Sequence, residues 1–398
     1  MNHSQSVEPP NLARNVRQAL KQWHGPSHSA SPLADLYLFR QAERTAHTNP
    51  RQVTNQLLLN AIEVLRQTHE SAAHLLQKRF LDLMSIIQLA NQLNVAESTV
   101  YGMQREAIDL LTDTVRNLEQ AASAAQKALL EQRLPAATYV HLIGVDEQLA
   151  HLLPLLTAPQ PPWVVAIAGI GGIGKTSLAQ ALTRHSIQHA LFDEVGWVSA
   201  QQSRLTAGGV IQAVEKPTIT ATMLIEKLLQ QLMPDVIFAT GAAVEKMLAA
   251  LRTRLKATPH LIVIDNLETL ADVESLLPTL QDLANPTKFI LTSRKSLYIE
   301  PAIYHFLVPE LSERDALKLI RQEAQWSNLP VLAESSDEVL KPIYQTVGGN
   351  PLALRLVVGQ THIHTLESIL YDLRMARGSR LSSSTPLSTA TPGRVWIP

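Results

Sequence analysis

Hydrophobic residues recur along this chain with two different periods, and the change of period divides it. From residue 32 to residue 134 the apolar positions fall at helical spacing, as in Leu57, Leu58, Ala61, Ile62 and Leu65, with almost no glycine or proline between them. That pattern predicts an all-α domain. Short, largely apolar runs follow at 164–168, 192–199, 261–264, 288–294 and 304–308, separated by amphipathic stretches such as 221–233 and 241–257. Buried strands alternating with helices predict an α/β domain on a parallel sheet, spanning 138–310. Residues 1–31, with Pro9, Pro10, Gly25 and Pro26, read as a flexible N-terminus holding one short helical candidate at 12–23. An alanine-rich stretch at 121–137 ends at Pro135 and reads as a helix end and a linker. Residues 378–398, rich in Ser, Thr and Pro, read as a disordered tail.

Composition narrows the classes. At 398 residues, 45% hydrophobic and 17% charged, the chain has room for two or three folded domains. The net charge of -1 gives no overall pull toward nucleic acid or acidic membranes. There is no cysteine, which excludes disulfides, thiolate nucleophiles and cysteine-held zinc and fits a reducing compartment. The 14 histidines are scattered, with no HExxH-type pair, so no zinc site is expected. The polar N-terminus precedes no apolar signal core, and no apolar run approaches transmembrane length. A cytoplasmic protein without a membrane partner is the expectation.

Within the helical region, residues 89–103 read as a helix-turn-helix. Ala90 is small where two helices cross, Asn94 suits a left-handed turn, and Leu93, Val95, Val100 and Met103 are the expected shared core. The second helix is expected over 99–111. DNA binding by that helix competes with a role in protein contact. Arg105 is offset there by Glu106 and Asp109, whereas DNA affinity rests on several phosphate-neutralising charges.

The strongest chemical signal is the glycine-rich turn after the first apolar run, which matches G-x-x-x-x-G-K-[ST] between a strand and a helix. Backbone N–H groups can converge on phosphate oxygens only where the chain turns this tightly, and the helix N-terminus adds partial positive charge. Gly169, Gly171, Gly172, Ile173, Gly174, Lys175, Thr176 and Ser177 are therefore the candidate phosphate-binding set. Lys175 is assigned to the β- and γ-phosphates of ATP or ADP, and Thr176 to Mg²⁺. Asp265, at the carboxyl end of an apolar run about ninety residues later, is the expected second Mg²⁺ anchor. Arg294 ends the next strand and is a candidate γ-phosphate sensor. Glu268 is a candidate water-positioning group, against the plainer reading of a surface glutamate at a helix start. Asn266 cannot accept a proton, so hydrolysis is expected to be slow.

Taken in order, these motifs resemble the NB-ARC type of STAND P-loop ATPase, a family of disease-resistance switches, apoptosis activators and bacterial regulators. The resemblance covers about residues 140–377, and the likeness of residues 311–320 to the family's entry into a small helical domain implies such a domain over 311–377. Leu142-Ile143-Gly144-Val145-Asp146-Glu147 resembles the segment whose backbone lines the adenine pocket, so Ile143 and Gly144 are implied base contacts; Val145 stands where the family usually has arginine. Asp265-Asn266 resembles the family's Walker B, and Thr292-Ser293-Arg294 its sensor. Gly348-Gly349-Asn350-Pro351-Leu352-Ala353-Leu354 resembles the motif whose proline, here Pro351, packs on the base. The resemblance implies a nucleotide-dependent switch in signalling or defence, with an effector or sensor protein as partner and nucleotide-dependent self-association. The helix-turn-helix suggests a bacterial source. A winged helix and sensing repeats, usual after the small helical domain, are not visible, so the chain reads as truncated or minimal. A nucleotide-gated DNA-binding regulator and a non-hydrolysing adaptor are the alternative functions.

Overall fold

The structure is a computed structural model that describes residues 11–26, 30–46, 49–137, 139, 141–200, 219–236, 243–267, 270–294 and 303–382. It divides into two compact units, Met1–Leu129 and Leu130–Pro398.

The described residues of the first unit form helices α1 (Leu12–Lys21), α2 (Tyr37–Ala46), α3 (Pro50–Thr68), α4 (Glu70–Leu76, continued by a π-helical turn Gln77–Leu81), α5 (Ile86–Leu93) and α6 (Glu97–Gln132). Local chemistry sets the starts. Asn49 accepts from Gln52 N, with Pro50 in the first helical position of α3. Ser85 and Gln88 form a reciprocal capping box at α5. The Glu119 carboxylate accepts the Tyr37 and Leu38 N–H groups at 2.7 and 3.0 Å and so caps α2 from a distance. The stripe Leu57, Leu58, Ala61, Ile62 and Leu65 is buried, as its spacing predicts. Leu12, Val16, Ala19 and Leu20 of α1 are buried in the same core. The expected flexible N-terminus therefore does not hold for residues 12–21, because an amphipathic turn pattern outweighs the flanking prolines.

α5 and α6 meet at Asn94, which adopts φ 52 and ψ 45 in the left-handed region. The expected core of this turn is only half right. Val100 is buried and Met103 packs against the core, but Leu93 and Val95 are 40% and 37% exposed. Ile86, Leu89 and Ala90 fill the position instead. The second helix also starts at Glu97 and runs on to Gln132, far past residue 111.

The second unit carries α7 (Asp146–Thr157), β1 (Val164–Ala168), α8 (Lys175–Gln188), β2 (Glu194–Ser199), α9 (Ala221–Leu232), α10 (Val244–Ala257), β3 (His260–Leu267), α11 (Leu270–Leu283), β4 (Lys288–Ser293) and β5 (Ile303–Leu307). The helices α12 (Glu313–Trp326), α13 (Pro330–Ala333), α14 (Asp337–Val347), α15 (Pro351–Gln360) and α16 (Leu366–Ser382) follow. The five strands are all parallel in the order β2-β3-β4-β1-β5. Every residue of β1 and β4 is buried, as expected for central parallel strands covered on both faces. One face packs on α9, α10 and α11, the other on α7 and α8. α12 to α16 gather a core of their own around Ile320, Leu340, Ile343, Leu354 and Val358.

Two boundary expectations change. Residues 130–137 are not a loose linker, since Leu130 and Leu134 are buried in the sheet core with Val165 and Trp197. Arg133 pairs with Glu194 and donates to Val195 O, and Arg184 donates to Pro135 O at 3.1 Å. At the other end, α16 runs to Ser382, past residue 378, where the tail reading begins; residues 383–398 lie outside the described residues.

Candidate nucleotide-binding site

β1 ends in the glycine-rich turn, and the turn requires its glycines. Gly172 and Gly174 hold φ +76 and +102, a region that costs other residues strain. A Cβ on Gly172 would lie 2.5 Å from Leu352 Cβ, so α15 closes directly on the turn. α8 starts at Lys175, so the positive end of its helix dipole faces the same place.

β3 and β4 bring their carboxyl ends alongside. Their pairing slips between Ile264 and Leu267, and Asn266 takes φ +67. The bulge falls after Asp265, which keeps its register with Ser199 of β2, and it turns Leu267 onto the α9–α11 face. Asp265 is 7% exposed, and its Oδ1 accepts from Thr176 Oγ1 at 2.8 Å and from Thr292 Oγ1 at 2.6 Å. Thr292 Oγ1 in turn accepts from Asn266 N at 2.7 Å. The hydroxyl and carboxylate oxygens expected to serve Mg²⁺ are thus in contact. Such a hard, two-ligand oxygen set, with Thr176 bordering the cavity, suits an ion that keeps waters and phosphate oxygens as its other ligands.

Lys175 Nζ donates to Gly169 O at 2.8 Å and to Ile170 O at 2.9 Å. Burial, then the Arg294 guanidinium, lowers its pKa, while Asp265 acts in the other direction. Two like charges held near one cavity favour an anion between them. The cavity, about 270 Å³, is bordered by Gly172, Lys175, Thr176, Asn266, Arg294 and Pro351. A narrower cavity of about 80 Å³ adjoins it, bordered by Tyr139, Ile143, Gly144 and Ile173. Gly174, Ser177, Pro351 and Arg355 border both. Gly144, at φ +69, would bring a Cβ within 3.0 Å of Leu311 Cδ2, so this segment packs on the entry to α12.

The fold therefore brings together most of the residues singled out from the sequence. Gly169 borders neither cavity but supplies a carbonyl to Lys175. Glu268 lies outside the described residues. Three contributors were not singled out. Thr292 opens the Thr-Ser-Arg motif and holds Asp265. Asn350 precedes a proline at a helix start, a capping signal. Arg355 lies one turn after Pro351 on α15 and forms an ion pair with Glu323, Nε to Oε2 3.2 Å.

Residues 145–328 match the NB-ARC domain. Over this stretch the chain is similar to NB-ARC domains. Among its relatives is the disease resistance protein RPP8 of Arabidopsis thaliana, 25% identical over 273 residues, which are 65% of this chain and 27% of that protein. The probable disease resistance protein At1g59620 of Arabidopsis thaliana is 27% identical over 234 residues, 56% of this chain and 24% of that protein. The chain spans about a quarter of the length of these relatives. With plant relatives, the bacterial source suggested by the helix-turn-helix finds no support, nor does a DNA partner. A Walker-type ATPase of Pyrococcus abyssi aligns with TM-score 0.41 and 14% identity over 64% of this chain and 79% of that one, too loosely to carry an argument. The NB-ARC domain implies nucleotide binding. Among the described residues no helix is long and apolar enough to cross a membrane.

Proposed function

We propose that this chain is an ATP- and ADP-binding switch in defence signalling. The observation that carries this reading is the paired cavity. Lys175, Thr176 and Arg294 border its wider part, and the apolar rim of Ile143, Ile173 and Pro351 borders the narrower. The wider part takes the phosphates and the narrower part the base. Thr176 and Asp265 hold Mg²⁺, which supplies charge neutralisation at the phosphates. Thr292 keeps the Asp265 carboxylate oriented. Arg294 answers the γ-phosphate, and Pro351 and Arg355 report it to α12 to α16, so that the two nucleotides favour different closures of this helical group. The domains we assign are the all-α N-terminal region, the NTPase core and the helical group from residue 311. The partner is an effector or sensor protein, and turnover is slow because Asn266, next to Asp265, cannot accept a proton.

Titration calorimetry tests this. Lys175→Ala should weaken ADP and ATP about 100-fold or more, since charge-assisted hydrogen bonds contribute about 1.5–3 kcal/mol each. Unchanged affinity contradicts the phosphate assignment. In the same titrations Arg294→Ala should weaken ATP more than ADP; equal losses rule out γ-phosphate sensing.

A further inference from the structure

Asn350 binds in two directions at once. Its Oδ1 accepts from Leu352 N at 3.0 Å and Ala353 N at 3.2 Å, which caps α15. Its Nδ2 donates to Gly171 O, in the phosphate-binding turn, at 3.0 Å. A second bond runs the same way, from Leu352 N to Gly172 O at 3.3 Å. The Asn350 turn is itself held from behind. Gly349 N donates to Glu310 Oε2 at 2.9 Å and Leu311 N to Gly349 O at 2.9 Å. Gly349 has no room for a side chain, since a Cβ would lie 2.2 Å from Leu311 O.

This arrangement has a consequence for the phosphates. In a trans peptide the C=O and the following N–H point in opposite directions. Holding Gly171 O toward Asn350 therefore turns the Gly172 N–H to the other side. Among the described residues that N–H meets no acceptor. A backbone donor kept unpaired in a glycine-rich turn is what an anion requires.

We propose that Asn350 is a positioning residue for phosphate binding: by holding Gly171 O it presets the Gly172 N–H as a phosphate donor. The proposal rests on the nucleotide reading above. It makes closure of α15 a condition for tight phosphate binding, and phosphate binding a force for closure.

The side chain's two roles are separable by substitution. Asn350→Ser keeps a capping oxygen for α15 but cannot reach Gly171 O. Asn350→Asp keeps the cap and turns the donor into an acceptor. In the full chain, the serine variant should melt within about 2 °C of the wild type, because the cap is retained. It should bind ADP about tenfold more weakly, as for loss of one hydrogen bond to a charged group. The aspartate variant should lose more than that. Adenosine, which has no phosphate, should bind wild type and both variants alike. Unchanged ADP affinity in the serine variant overturns the proposal, as does an equal loss of ADP and adenosine, which would indicate a collapsed cleft. Failure of the wild type to bind ADP would overturn the nucleotide reading itself and is distinguishable from both.

Discussion

At the scale of single residues, the second unit places several polar groups where water cannot reach them, and each is tied to a neighbour. His260 is tied only in part. It starts β3 fully buried, with Nδ1 bonded to Thr258 O at 2.7 Å, while Nε2 has no hydrogen-bond partner among the described residues. Burial drives its pKa down from 6.5 to about 4. Between those values the unfolded chain takes up a proton that the folded one refuses. Stability is therefore full above pH 6.5 and falls as pH drops toward 4, by about 3 kcal/mol in all from this one group. Urea unfolding of wild type and His260→Asn at pH 7 and pH 4.5 should show a smaller acid loss in the variant. Equal losses would place the acid sensitivity elsewhere. Asp265 shows the opposite solution to burial, with two threonine hydroxyls on one carboxylate oxygen.

Elements are joined by side chains acting as caps at a distance. Lys288 begins β4 almost wholly buried, and its Nζ donates to Leu155 O, Gln160 O and Pro162 O at 3.1, 2.7 and 2.8 Å. It also lies 4.4 Å from the centre of the Trp163 ring. One lysine thus ties the end of α7 to the turn that launches β1. Burial lowers its pKa to about 8, which leaves it mainly charged at neutral pH. Lys288→Met keeps the apolar stem but leaves three acceptors without a donor. It should destabilise the protein by about 3 kcal/mol, at roughly 1 kcal/mol or more for each carbonyl left unpaired. A denaturation midpoint unmoved by the change would show that water replaces the ammonium. At the sheet edge, Gln231 does the same for β2, bonding both Trp197 N and Trp197 O and covering a strand that would otherwise offer open ladder groups.

At the scale of the whole molecule, each unit has its own hydrophobic core. The division falls at Leu130, inside a continuous helix and not at the proline after it. Leu130, Arg133 and Leu134 belong energetically to the sheet. A fragment from Leu130 to Pro398 should therefore fold and bind ADP as tightly as the full chain. One that begins at Leu142 should melt earlier, having lost two buried leucines at about 2–3 kcal/mol each and the Arg133–Glu194 pair. Circular dichroism melts and ADP titrations of the two fragments decide the matter. If both behave alike, the strap adds nothing to the unit.

The sequence alone determined what depends on period and on local geometry. Parallel strands covered on both faces must be continuously apolar, so β1, β3 and β4 could be read directly. Only glycine suits the positive φ of the phosphate turn, so that turn announced itself. Asp265 and Arg294 could be placed at strand ends because strand ends are where such runs stop. What the tertiary structure decided are pairings between residues far apart in the chain. Thr292 on Asp265, Asn350 on Gly171 and Lys288 on three carbonyls leave no periodic trace, since a hydrogen bond constrains position and not spacing. The same holds for α1, whose leucines were legible but whose burial depended on what packed against them. It holds too for Leu93 and Val95, apolar residues that the fold left outside because Ile86 and Leu89 had already filled the core.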